Sequence, residues 1–174
     1  METTSEIIIL SASNGKNLEL SKQFLEKSND LNISAEIVDL TEINVPLFNP
    51  RIHSNRNIPD EINRLKNKLF KAEKWIICAP EYNGSIPPIL SNMIAWLSIS
   101  GDDFRNLFNG QPIAIATFSG GPGIELLISL RMQLVHLGSQ VLGRNLSSNF
   151  SKPAEEKSIM DILNRLLQMK RLNV

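Results

Sequence analysis

Cysteine, histidine and tyrosine are scarce in this sequence: one Cys, two His and one Tyr among 174 residues. A single thiol excludes an internal disulfide framework, and so few ligands exclude a Cys-rich metal site. Cys78 lies in the apolar run Trp75-Ile76-Ile77-Cys78-Ala79, which points to a buried small hydrophobe rather than a reactive thiol. No stretch approaches the ~18 consecutive apolar residues of a membrane-spanning helix, so no membrane partner is expected. The start, with Glu2 and Glu6 and no basic residue, and the short run Ile7-Ile8-Ile9-Leu10 do not make a signal peptide, so the expected compartment is the cytoplasm. Net charge is missing too, since 18 basic residues balance 18 acidic ones. No Lys/Arg cluster marks a nucleic-acid footprint, and the balance argues against the acidic docking face of a small electron carrier.

What is present is an alternation of short apolar runs with helical patterns. The runs Ile7-Ile8-Ile9-Leu10, residues 35–40, residues 75–79, residues 113–118 and a short stretch at 140–142 read as five strands. Between and after them, five helical patterns recur. The first follows Leu18, Leu20, Phe24 and Leu25, and the second Ile62, Leu65, Leu69 and Ala72, with Asp60 as an expected cap after Pro59. The others span 87–98, 124–137 and 154–171. Pro46, Asn49, Pro50 and Pro59 punctuate a long connection ahead of the second. Strands that are unbroken apolar runs suit a parallel sheet buried on both faces. The expectation is one α/β domain over 1–174, a doubly wound five-stranded parallel sheet of flavodoxin-like order 2-1-3-4-5.

Ligands of such sheets bind beyond the carboxyl ends of the strands, where strand order reverses. The loops after the first, third and fourth strands carry the most unusual residues. The first, Ser11-Ala12-Ser13-Asn14-Gly15-Lys16-Asn17 leading into Leu18, gathers hydroxyls, amides, free N–H groups and a cation at a helix N-terminus. That chemistry suits a phosphate monoester, and a capped polar turn explains the same residues equally well. Neither a Walker A loop nor a glycine-rich dinucleotide fingerprint is present. The second, Pro80-Glu81-Tyr82-Asn83-Gly84-Ser85, offers an aromatic face at Tyr82 and close backbone approach at Gly84. The third, Ser119-Gly120-Gly121-Pro122-Gly123, offers N–H groups with no side chain in the way, suited to a developing anion or to a plain strand-to-helix turn.

Taken together, these strings resemble the NAD(P)H-dependent FMN reductases, a flavodoxin-like family that includes azo, quinone and chromate reductases. The most specific match is Pro80-Glu81-Tyr82-Asn83-Gly84-Ser85-Ile86-Pro87 followed by Leu90, Asn92, Ile94 and Trp96. It is similar to the family block P-E-Y-N-x-S-x-P-G-x-L-K-N-A-I-D-W. Ser119-Gly120-Gly121, then Arg131 and His136-Leu137-Gly138, resembles the family's S-G-G turn and R…H-L-G helix end. This chain departs from the family at Asn14, where many members carry an arginine facing the phosphate. It departs again at Pro88, Ser91 and Ala95, which replace glycine, lysine and aspartate. Lys16 offers a point charge in place of the arginine but no bidentate fork.

The resemblance implies FMN as cofactor and NADPH or NADH as hydride donor. A small-molecule electron acceptor, a quinone, azo compound, free flavin or metal oxyanion, then takes the electrons. It places the cofactor against Ser11, Ser13, Asn14, Lys16, Asn17, Leu18, Pro80, Glu81, Tyr82, Asn83, Gly84, Ser85, Ser119, Gly120 and Gly121, with no indispensable catalytic side chain and no metal. His136, near a helix end, and His53, in the Pro-rich connection, are read as structural and solvated respectively, and Glu81 as a turn residue. A homodimer, or a dimer of dimers, is expected through two helices. The first carries Ile86, Ile89, Leu90, Met93, Ile94 and Leu97 beside Trp96. The second carries one stripe at Ile124, Leu127, Ile128, Leu134 and Val135 and another at Leu126, Leu130 and Leu137. The connection from Pro46 to Pro59 is placed to reach the neighbour's site. The competing reading is a flavodoxin-like FMN-binding carrier or interaction protein without NAD(P)H oxidase activity of its own.

Overall fold

The computed structural model describes residues 5–53, 58–100 and 105–173. Strands β1 (Ile7–Ser11), β2 (Ala35–Asp39), β3 (Lys74–Cys78), β4 (Pro112–Phe118), β5 (Gln140–Val141) and β6 (Leu146–Ser148) alternate with helices. These are α1 (Lys16–Asp30), α2 (Pro50–His53), α3 (Asp60–Lys71), α4 (Pro88–Ile99), α5 (Ile124–His136) and α6 (Glu156–Leu167). The strands pair in parallel in the order β2-β1-β3-β4-β5, as the alternation of runs predicts. Strand order therefore reverses between β1 and β3, and the loops leaving them open a crevice there.

The pleat assigns each side chain to a face. Ile7 and Ile9 join Phe24, Ile76, Ile159 and Ile162 in a core under α1 and α6. Ile8 and Leu10 join Trp75, Ile77, Leu90, Leu126 and Leu130 in a second core under α3, α4 and α5. Each such side chain, fully buried, contributes roughly 1.5–3 kcal/mol of transfer free energy. Cys78 is completely buried in the first core, and burial pushes its thiol up to about 12, so it stays protonated and inert.

The fifth strand is where expectation and structure part. The sheet edge is split: β5 covers Pro112 and Ile113, then the chain leaves β4 and returns as β6 beside Ala116–Phe118. Where β5 ends, the Arg131 guanidinium of α5 donates to the carbonyls of Val141, Leu142 and Gly143 at 3.4, 2.8 and 3.3 Å. The family-like arginine of the R…H-L-G segment thus repairs a broken edge. β6 was invisible to periodicity because Leu146-Ser147-Ser148 is short and polar.

Two smaller differences concern helix starts and the long connection. Asp60 is the first residue of α3 rather than its cap. It acts with Glu61 on the positive helix end, opposite Lys68 and Lys71 in the last turn. The connection contains the short helix α2, and the His53 side chain lies outside the described residues.

Candidate functional site

Every strand-exit loop singled out from the sequence lies at the same end of the sheet, and hydrogen bonds knit the loops together. The first loop closes onto helix α1 through Gly15, whose carbonyl accepts from Leu18 and Glu19 N–H at 2.9 and 3.1 Å. The N–H groups ahead of those point out of the helix end. Ser11 is buried and donates its hydroxyl to Ser13 O at 2.7 Å, which tightens the turn. Asn17, also buried, clamps the end of β4: its amide donates to Phe118 O at 2.9 Å and accepts from Phe118 N–H at 2.8 Å. Both polar atoms of that side chain are engaged in this clamp, which fixes the start of α1 against the end of β4. Lys16 pairs with Glu19 at 2.7 Å on the outer flank of α1, while Asn14 is exposed.

The second loop is a tight hairpin. Tyr82 and Ser85 exchange backbone hydrogen bonds at 3.2 and 3.0 Å across Asn83 and Gly84, both of which have positive φ, 51° and 64°. Two successive left-handed residues are what a type I′ turn demands, and Asn-Gly is the pair that adopts them at least cost. Buried Pro80 fixes the exit from β3, and the hairpin holds Tyr82 half exposed.

The third loop is fastened to the second by a directed chain of hydroxyls. Thr117 Oγ1 donates to Ala79 O at 2.7 Å, so the 2.8 Å contact between Thr117 and Ser119 must have Ser119 as donor. Ser119 Oγ in turn accepts from Glu81 N–H at 2.8 Å. The Glu81 carboxylate accepts from Leu126 N–H, in the first turn of α5, at 3.2 Å. Gly123, at φ 65°, brings the loop so close that a Cβ there would meet Thr117 Cγ2 at 2.7 Å. From the edge side, Ser148 donates to Thr117 O at 2.8 Å, Ser147 to Pro122 O at 2.5 Å and Asn149 to Gly121 O at 3.4 Å. Thr117, Ser147, Ser148 and Asn149 escaped sequence reasoning, because nothing local marks a hydroxyl that bonds a residue ~30 positions away.

The outcome is a rigid floor with an open top. A Cβ added at Gly15, Gly84, Gly120 or Gly121 would meet nothing within 4 Å, so the backbone at all three loops faces free space. That fits a phosphorylated planar ligand laid along the loops, with N–H donors at the phosphate end and at the ring edge. Among the described residues no group of three or more His, Cys, Asp or Glu is placed to hold a metal ion, and no helix is long and apolar enough to cross a membrane. His136 ends α5, roughly 18 Å from the helix start that faces the site, and contacts Arg105 Nη2 at 3.0 Å. It has no place at the crevice.

Comparison with known proteins agrees with this geometry. The chain is 32% identical to a quinone reductase of Escherichia coli over 114 residues, 64% of this chain and 59% of that protein. It is 30% identical to an NADPH azoreductase of a Bacillus species over 101 residues, 57% of this chain and 52% of that one. The match thus spans little more than half the length of these curated relatives. Among solved structures, the FerB flavoenzyme NAD(P)H:(acceptor) oxidoreductase of Paracoccus denitrificans superposes with a TM-score of 0.76. It covers 95% of this chain and 96% of FerB at 18% identity, and so speaks for the fold. An archaeal flavodoxin gives 0.65 at 13% identity, covering 93% of this chain and 99% of its own. Residues 5–153 match the model of the NADPH-dependent FMN reductases, and the chain belongs to that family.

Proposed function

We propose that this protein binds FMN across the three loops and works as an NAD(P)H-dependent oxidoreductase for a small acceptor: a quinone, azo compound, free flavin or metal oxyanion. The observation that carries the reading is the interlocked floor of loops with open backbone at Gly15, Gly84, Gly120 and Gly121. The names of the quinone and azo reductase relatives support the acceptor class. When bound, FMN supplies the two-electron chemistry, and the protein supplies orientation and electrostatics.

The loop from Ser11 to Leu18 would hold the phosphate through backbone N–H groups and Ser13, aided by the α1 dipole. Lys16, paired with Glu19 on the exposed surface of α1, would add a point charge to that hold. Pro80, Glu81 and the Asn83-Gly84 turn set the height of Tyr82, whose exposed face would flank the ring, with Ser85 beside it. Gly120 and Gly121 would present N–H groups to the pyrimidine edge, where negative charge develops. No side-chain acid or base is required of the chain.

A second copy completes the reading. Ile124, Ile128, Met132 and Val135 form an exposed apolar stripe along α5 that starts beside the Glu81 cap and hence beside Tyr82. A symmetric dimer through this stripe, alone or within a dimer of dimers, would cover both it and the open side of the site. Leu47, 78% exposed between the anchored residues Pro46 and Phe48, stands ready to touch the neighbour. The proposed compartment is the cytoplasm, which supplies reduced nicotinamide.

The test is the visible absorbance of the purified protein and titration with FMN. Flavin bands, or quenching of FMN fluorescence by colourless protein, are expected, with NADPH or NADH oxidation in the presence of a quinone. Asn14→Arg, restoring a bidentate phosphate partner, should tighten FMN about tenfold. Failure of wild type and this variant alike to bind FMN would overturn the reading. Binding without nicotinamide oxidation would make the chain a carrier.

A further inference from the structure

Glu81 is the one carboxylate among the three loops, and its Oε2 accepts from Leu126 N–H at the start of α5. Helix α5 has no cap of its own: its N-cap residue is Gly123, with no side-chain hydrogen bond. The acceptor that a Ser, Asp or Asn would provide there comes instead from a residue 45 positions earlier in the chain. The same residue's N–H donates to Ser119, the residue preceding Gly120 and Gly121. Glu81 therefore holds the glycine turn at both ends, through Ser119 before it and Leu126 after it.

Resting on the FMN reading above, we infer that Glu81 is a positioning residue. It fixes where the Gly120 and Gly121 N–H groups point, and so sets how much more tightly the reduced cofactor is held than the oxidised one. A carboxylate suits the task because it adds attraction to the positive helix end to the hydrogen bond. Loss of the cap would leave a five-residue turn, 119–123, free to tilt at its α5 end. The donors would survive but lose their aim, and aim matters most for the state carrying the extra negative charge.

Three variants separate the parts. Glu81→Gln keeps an oxygen acceptor for Leu126 N–H, Glu81→Ala removes it, and Glu81→Asp falls a methylene short. In the apo protein, hydrogen exchange at the Leu126 amide should accelerate about fivefold or more in Glu81→Ala and stay near wild type in Glu81→Gln. In the FMN-loaded protein, Glu81→Ala should weaken the preference for reduced over oxidised FMN about tenfold, a midpoint shift of about −30 mV for a two-electron couple. Glu81→Asp should follow Glu81→Ala, and Glu81→Gln should recover most of the shift. An unchanged midpoint potential in Glu81→Ala, or unchanged Leu126 exchange, overturns the inference. A purely structural role would lower the melting temperature and leave the potential of the loaded protein in place. Wild type that fails to bind FMN sinks the FMN reading itself, while the exchange measurement still decides whether the cap exists.

Discussion

Helices α4 and α5 are near equivalents in sequence. Both are rich in Ile and Leu, both follow a strand-exit loop of the site, and both feed the same core. They differ in what covers their outer sides. On α4, Asn92 accepts from Phe48 N–H at 2.7 Å and donates to Pro46 O at 3.1 Å. Trp96 Nε1 donates to the same carbonyl at 2.9 Å and stacks edge-on against Phe48. The chain thus covers α4 with its own segment, and Trp96 is fully buried. On α5 nothing of the kind happens among the described residues, and Ile124, Ile128, Met132 and Val135 stay more than half exposed. Apolar residues in a helix announce that a surface will be covered. They do not announce by whom, and here the two polar handles, Asn92 and Trp96, decide it.

Three variants would sharpen or break this contrast. Trp96→Ala should cost the most, about 3–5 kcal/mol of stability in urea unfolding, because it empties a packed site and releases Phe48. A loss under ~1 kcal/mol would mean that the segment over α4 is not anchored. Asn92→Ala should cost about 1–2 kcal/mol, since Phe48 N–H loses its Asn92 acceptor while Pro46 O keeps its tryptophan donor. The paired change Ile128→Glu and Met132→Glu should alter the stability of a dilute sample by no more than ~0.5 kcal/mol. Its effect belongs in sedimentation, where the proposed interface predicts a dimer for wild type and a monomer for the variant. Identical sedimentation of the two proteins would remove the case for α5 as an interface.

Much of this was readable in the residues. Unbroken apolar runs separated by helical spacing pointed to the parallel sheet, and their number favoured its order. Other features depended on contacts between distant positions. The phase of α5 was ambiguous because its apolar residues fall on more than one face: Leu127 and Leu134, read with Ile124 as one stripe, point into the core with Leu126 and Leu130. The Asn17 clamp is one of these features, because a side-chain amide can bond many groups and the local sequence does not name which. Its partner, Phe118, is 101 residues away. The Asn83-Gly84 hairpin is local by contrast: it joins residues three apart, and the positive φ at both central residues identifies its turn type.

The split at the sheet's edge also bears on how the molecule avoids others of its kind. An edge strand offers a free row of donors and acceptors to any passing strand, and a long straight row is an invitation to aggregate. Here that row is cut into the two residues of β5 and the three of β6, with Arg131 already holding the carbonyls between them. An incoming strand finds no ladder long enough to climb. The opposite edge, β2, is longer but carries Glu36 and Asp39, and Glu36 is paired with Lys68. Strand addition is thus opposed on one flank by interruption and on the other by charge.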